Sequence, residues 1–126
     1  FPTRRSSDLI LAYGLTGVEK EVLNELLVKQ NIFPCRVIEK NMGNVTIREV
    51  LQDIKKINGN TQLPKEKLLI FSNFEDKELY QLIDDIRQIK SSDTILAAVT
   101  PTSINWTVNY LMHQLVAERE AYKKGE

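Results

Sequence analysis

The sequence predicts an α/β fold: a small three-layer αβα sandwich on a four-stranded, mostly parallel sheet of order 2-1-3-4, half of a flavodoxin-like architecture. Three observations carry that expectation. Short apolar runs of strand length alternate four times with segments whose apolar residues recur at helical spacing. Capping signals stand at the starts of two of those helical segments. The chain has a single long polar connection, "NGNTQLPKEK", so its elements must follow one another closely.

"LILAYGL", residues 9–15, is the first strand run. Behind it, Val18, Val22, Leu23, Leu26 and Leu27 fall on one helical face, and Thr16-x-x-Glu19 forms a capping box that opens the helix. "CRVIEK", residues 35–40, is the second strand. It is followed by a stripe of Ile47, Val50, Leu51 and Ile54, opened by Thr46-x-x-Glu49 and stopped by Asn58-Gly59. "KLLIFSNF", residues 67–74, is the third, and its helix presents Leu79, Leu82, Ile83 and Ile86. "TILAAVT", residues 94–100, is the fourth. Its helix presents Val108, Leu111, Met112 and Leu115 and ends at Lys123, Lys124 and Gly125. The sequence shows no internal repeat, low-complexity tract or interdomain linker.

Strand–helix alternation favours right-handed crossovers between parallel strands. In order 2-1-3-4 with all strands pointing one way, the first and fourth helices cover one face and the second and third cover the other. "CRVIEK" is then an edge guarded by Arg36, Glu39 and Lys40, whereas "TILAAVT" is an edge without charge. That unguarded edge makes a homodimer an expectation.

Composition narrows the partners. The 126 residues carry 17 basic and 17 acidic side chains, for a net charge of 0. Neither nucleic acid nor an anionic membrane is favoured by that balance, and no apolar run approaches the ~18 residues that span a bilayer. Cys35 is the single cysteine, which rules out an intrachain disulfide and fits a cytoplasmic setting. Residues 1–9, "FPTRRSSDL", match the translation of a standard sequencing adapter and read as a cloning or assembly artefact; residues 10–126 read as a single α/β domain.

In an open parallel sheet, ligands sit beyond the carboxyl ends of the strands. Three connections would meet there. The first supplies Tyr13, Gly14 and Thr16, the third Ser72, Asn73 and Phe74, and the fourth Thr100, Thr102, Asn105 and Trp106. Together they offer hydroxyls, amides and rings on which a planar ligand stacks, and converging helix starts favour a small anion. The same hydroxyl and amide residues also cap helices, which is their commoner use.

Several chemistries are excluded. "YGLT" and "FSNF" stand where a receiver domain needs its acidic residues and its phospho-accepting aspartate. Neither G-x-G-x-x-G nor G-x-x-x-x-G-K-[ST] occurs. His113, the single histidine, lies inside the fourth helical stripe, and one histidine with one cysteine cannot build an ordinary zinc site. No metal or cofactor is therefore expected. The carboxylates of Asp84-Asp85 and "EDKE" suit a solvated helix face and a helix start.

The stretches "LAYGLTGVEK", "KLLIFSNFEDKELYQLIDDIR" and "VTPTSINWTVNYLMHQL" together resemble a family of small bacterial proteins, mostly from Firmicutes, known as domain of unknown function 3783. The most distinctive piece is "TPTSINW", in which Ser103 stands where the family pattern leads one to expect asparagine. The resemblance implies a cytoplasmic α/β module and adds no reaction. The function expected is a non-catalytic module that binds a small ligand or a protein, or regulates one. The alternative is an enzyme acting on a small phosphorylated or carboxylated substrate held at helix starts, with Glu75, Asp76 or Tyr13 moving a proton.

Overall fold

Thr16 and Thr46 begin the first two helices as the capping boxes predict. Each hydroxyl accepts the backbone N–H of a glutamate three residues on, and that glutamate's carboxylate accepts the threonine N–H. The computed structural model describes residues 8–53, 63–89 and 94–124. Its elements run β1 (Leu9–Tyr13), α1 (Gly17–Lys29), β2 (Arg36–Val37), α2 (Ile47–Leu51), β3 (Lys67–Ser72), α3 (Asp76–Ile89), β4 (Thr94–Ala98) and α4 (Val108–Lys124), with a 3-10 turn over Ser103–Asn105. Ile54, the Asn58-Gly59 stop, Gly125 and residues 1–7 of the leading segment lie outside the described residues.

The chain divides into two compact units. One comprises Phe1–Ile38 with Glu66–Val99, the other Glu39–Lys65 with Thr100–Glu126.

The first unit holds the sheet, in the expected order β2-β1-β3-β4. Both outer pairs are parallel, but β1 and β3 run antiparallel, with Leu9 opposite Ser72 and Tyr13 opposite Leu68. The sheet is therefore mixed, and the expectation that all four strands point one way is corrected. The helices change place with it. When β1 and β3 run in opposite directions, right-handed crossovers leading outward to β2 and to β4 fall on the same face. Leu23 and Leu27 of α1 accordingly share one core cluster with Leu82 and Ile86 of α3, over Ile10, Ala12, Leu69 and Phe71. Gln30 at the end of α1 donates to the Asp85 carboxylate of α3 at 2.7 Å. The expected arrangement, in which α1 and α3 cover opposite faces, does not occur. β1 and β3 are buried along their lengths save half-buried Lys67, which explains their unbroken apolar composition. β2 is reduced to two residues of the expected six-residue run.

In the second unit α2 is five residues long, so its start contributes much of what holds it. Ile47 and Val50 are buried, and the Thr46 hydroxyl accepts from Glu49 N–H at 3.2 Å. Replacing Thr46 with alanine is expected to cost about 1 kcal/mol in urea denaturation, and serine should restore most of it. Equal stabilities of the alanine and serine variants would show that the cap contributes nothing.

Candidate functional site

The ten residues singled out from the sequence fall into three groups. At the carboxyl end of β1, Tyr13 is buried, and burial pushes its hydroxyl above the usual value of 10.0. Gly14 follows with φ at +80°, a left-handed turn that brings its backbone against the Glu66 carbonyl. Thr16 caps α1, its N–H donating to Glu19 Oε1 at 2.9 Å. Lys67 Nζ reaches Glu19 Oε2 at 2.9 Å. The Thr16 backbone N–H first, and Lys67 second, lower the Glu19 carboxyl from 4.5 to about 2. These polar groups close a local clamp between the start of α1 and the start of β3.

That clamp has a pH signature. The folded value lies below the unfolded one, so the stabilisation is present above about pH 4.5 and is lost as pH falls towards 2. Melting temperature should decline over that window, and Glu19→Gln, which keeps an acceptor for the cap but cannot titrate, should flatten the decline. An unchanged acid profile in Glu19→Gln would refute the assignment.

The second group lies at the opposite end of the β1–β3 pair, because the carboxyl end of β3 faces the amino end of β1. Ser72 is buried there. Asn73 holds φ at +68°, and its side-chain N–H donates to Asp8 Oδ1 at 2.6 Å. Phe74 packs edge-on against Phe71, ring centroids 6.3 Å apart, and joins the core cluster. The single rim expected for Gly14 and Asn73 is thus corrected: antiparallel pairing sends the two turns to opposite ends of the sheet. Tyr13 and the Glu75–Asp76 pair are separated in the same way and form no common acid–base group.

The third group lies in the second unit. Thr100 and Ser103 close a turn on each other: Thr100 N–H donates to Ser103 Oγ at 2.9 Å, and Ser103 N–H donates to Thr100 Oγ1 at 2.9 Å. Ser103, set apart in the sequence as a departure from the family pattern, is buried as the hub of this turn. Thr102 is exposed at the start of the 3-10 turn and makes no side-chain cap bond. Asn105 Oδ1 accepts from Arg48 Nε and Nη2 at 3.3 and 3.1 Å. The Trp106 ring meets Tyr110 edge to face, centroids 4.8 Å apart, and Tyr110 is 49% exposed.

Sequence reasoning missed Arg48 and Tyr110. Tyr110 had a signal, since Trp106 and Tyr110 stand four residues apart at the start of a helix. Arg48 had none, because its contact with Asn105 joins residues 57 positions apart. His113 Nδ1–H donates to the Asn109 carbonyl at 2.8 Å, one turn back on α4. Cys35 is half-buried, with its N–H donating to Asn24 Oδ1. Among the described residues no three His, Cys, Asp or Glu side chains are grouped to hold a metal, and no helix is long and apolar enough to cross a membrane.

Fold and site together place this chain among the open, mixed-sheet α/β proteins. Its residues 67–122, from β3 through most of α4, are a DUF3783 domain, described as a domain of unknown function. "KLLIFSNFEDKELYQLIDDIR" and "TPTSINW" fall inside the matched residues, and "LAYGLTGVEK" falls outside them. No curated protein and no solved structure matches the chain.

Proposed function

We propose that this protein is a non-catalytic binding or regulatory module and that its contact surface is the one formed by Arg48, Asn105, Trp106 and Tyr110. The observation that carries this reading is a guanidinium oriented through two of its nitrogens by Asn105, the residue next to Trp106, whose ring meets Tyr110 edge to face. Arginine and aromatic side chains dominate the energetics of recognition surfaces. A guanidinium also has donors enough to serve Asn105 and an anion together. The partner is a small phosphorylated or carboxylated molecule, or an acidic protein segment of the same chemistry. The opposite disposition of Tyr13 and Glu75 weighs against proton-transfer catalysis at the strand tips.

A cytoplasmic setting belongs to the same proposal, supported by a sequence that carries a single cysteine. So does homodimerisation along β4, an edge strand of half-buried apolar residues and no charge. Light scattering at micromolar concentration should return twice the chain mass, and a monomer mass removes the dimer from the proposal.

Thermal-shift screening with nucleotides, sugar phosphates and organic acids tests the main reading. A stabilising compound should lose its effect in Arg48→Ala and in Trp106→Ala while still acting on Thr16→Ala. If it stabilises all three alike, this surface is not where it binds. Turnover of the compound on incubation would overturn the non-catalytic reading.

A further inference from the structure

We infer that the chain holds two copies of one β-α-β-α module, residues 9–52 and 68–113, and that the partner fitted by the β3 edge of the DUF3783 domain is another copy of the same module.

In the first unit the correspondence runs at a constant shift through the strand, turn and helix of each copy. Leu9–Tyr13 corresponds to residues 68–72, and Gly14 to Asn73, both left-handed at φ of +80° and +68°. Leu15 and Phe74 follow, both half-buried against the core, and α1 and α3 then begin at the equivalent Gly17 and Asp76. Leu23 and Leu82, and Leu27 and Ile86, are equivalent and buried in the one cluster. From the outer strands onward a slightly longer shift holds. Ile38 N–H donates to the Ala12 carbonyl at 2.8 Å, and the equivalent Val99 N–H donates to the equivalent Phe71 carbonyl at 2.9 Å.

The second unit repeats the pattern at that longer shift. Glu39 N–H is directed at Met42 Sδ at 3.2 Å, as Thr100 N–H is at Ser103 Oγ at 2.9 Å. Val45 N–H donates to the Met42 carbonyl at 3.1 Å, as Trp106 N–H does to the Ser103 carbonyl at 3.0 Å. Thr46 and Thr107 then precede α2 and α4, whose first residues, Ile47 and Val108, are fully buried.

Within each unit the copies meet through equivalent parts. β1 pairs with β3, and the central pair of that ladder, Leu11 with Ile70, is a pair of equivalent residues; Leu9 faces Ser72 as its equivalent Leu68 faces Tyr13. In the second unit Thr46 bridges Thr107. Ile47 N–H donates there to the Trp106 carbonyl at 2.9 Å and Val108 N–H to the Val45 carbonyl at 2.8 Å, a reciprocal exchange. Contacts that map onto themselves when the partners are exchanged define an isologous interface. The family match, covering residues 67–122, contains the second copy whole and does not reach the first.

Identity survives at Glu19 and Glu78, Leu23 and Leu82, Asn44 and Asn105, and Thr46 and Thr107, and at almost no other equivalent pair. Burial and backbone hydrogen bonds preserve what side-chain identity has lost, which is why no repeat is legible in the sequence.

The test is a full-length chimaera in which residues 9–52 are replaced by a second copy of the sequence of residues 68–113. We expect the parent's circular dichroism, a cooperative melt, and superposed amide resonances from the two copies, about half the parent's number of module cross-peaks. A folded chimaera with two unlike sets of resonances overturns the inference. Should the chimaera not fold, amide exchange in the parent decides: Ile38 and Val99, and Ile47 and Val108, should agree in protection pairwise within about tenfold. A larger disparity in either pair overturns it.

Discussion

Gly14→Ala is expected to destabilise the protein by about 3 kcal/mol and lower its melting temperature by about 10 °C. Two causes add. The backbone at Gly14 sits at φ of +80°, where an L side chain costs ~1–2 kcal/mol. A Cβ built there would also be driven into the Glu66 carbonyl oxygen, and the obstacle is backbone, which cannot turn aside as a side chain would. Gly17 supplies the control. Its Cβ would meet nothing within 4 Å, and it begins α1, so Gly17→Ala should be neutral or stabilising by about 0.5 kcal/mol. Calorimetry on the two variants separates the causes. If Gly14→Ala melts with the parent, the close approach of the β1 tip to Glu66 does not exist in solution.

Phe71→Ala is expected to cost about 4 kcal/mol. Phe71 is 2% exposed at the junction of β3 with both covering helices, and Phe74 packs edge-on against it. Truncation removes apolar contact and leaves a cavity that the strand ladder, paired on both sides, cannot collapse to fill. Against a total stability of roughly 5–15 kcal/mol, such a loss should move the urea midpoint far towards zero. Phe74→Ala should cost distinctly less, because Phe74 is only half-buried. Equal midpoints for the two variants would contradict the packing described.

The elements were legible because each depends on nearby residues. Thr16 with Glu19 and Thr46 with Glu49 are contacts within one helical turn, and the structure contains both as read. The apolar runs of residues 9–15 and 67–74 became β1 and β3 for the same reason. The second strand was overestimated: "CRVIEK" alternates polar and apolar side chains, yet β2 extends over Arg36–Val37 alone. The family likeness was legible in "TPTSINW", and what that turn does was not. Its serine folds back on Thr100, and its asparagine holds an arginine from a helix far away in the chain.

By itself the sequence determined the strand order, the two capping boxes, and the absence of nucleotide-loop and receiver signatures. Local spacing and residue type suffice for these, because hydrogen bonds across three or four residues and the rule for crossover connections need no long-range information. Tertiary structure alone decided the direction of β1 against β3, and with it the common face of α1 and α3, the opposite placement of Gly14 and Asn73, and the likeness of the two halves. A strand buried on both faces carries the same apolar pattern in either direction, so only the pairing of Leu11 with Ile70 reveals which way the chain runs.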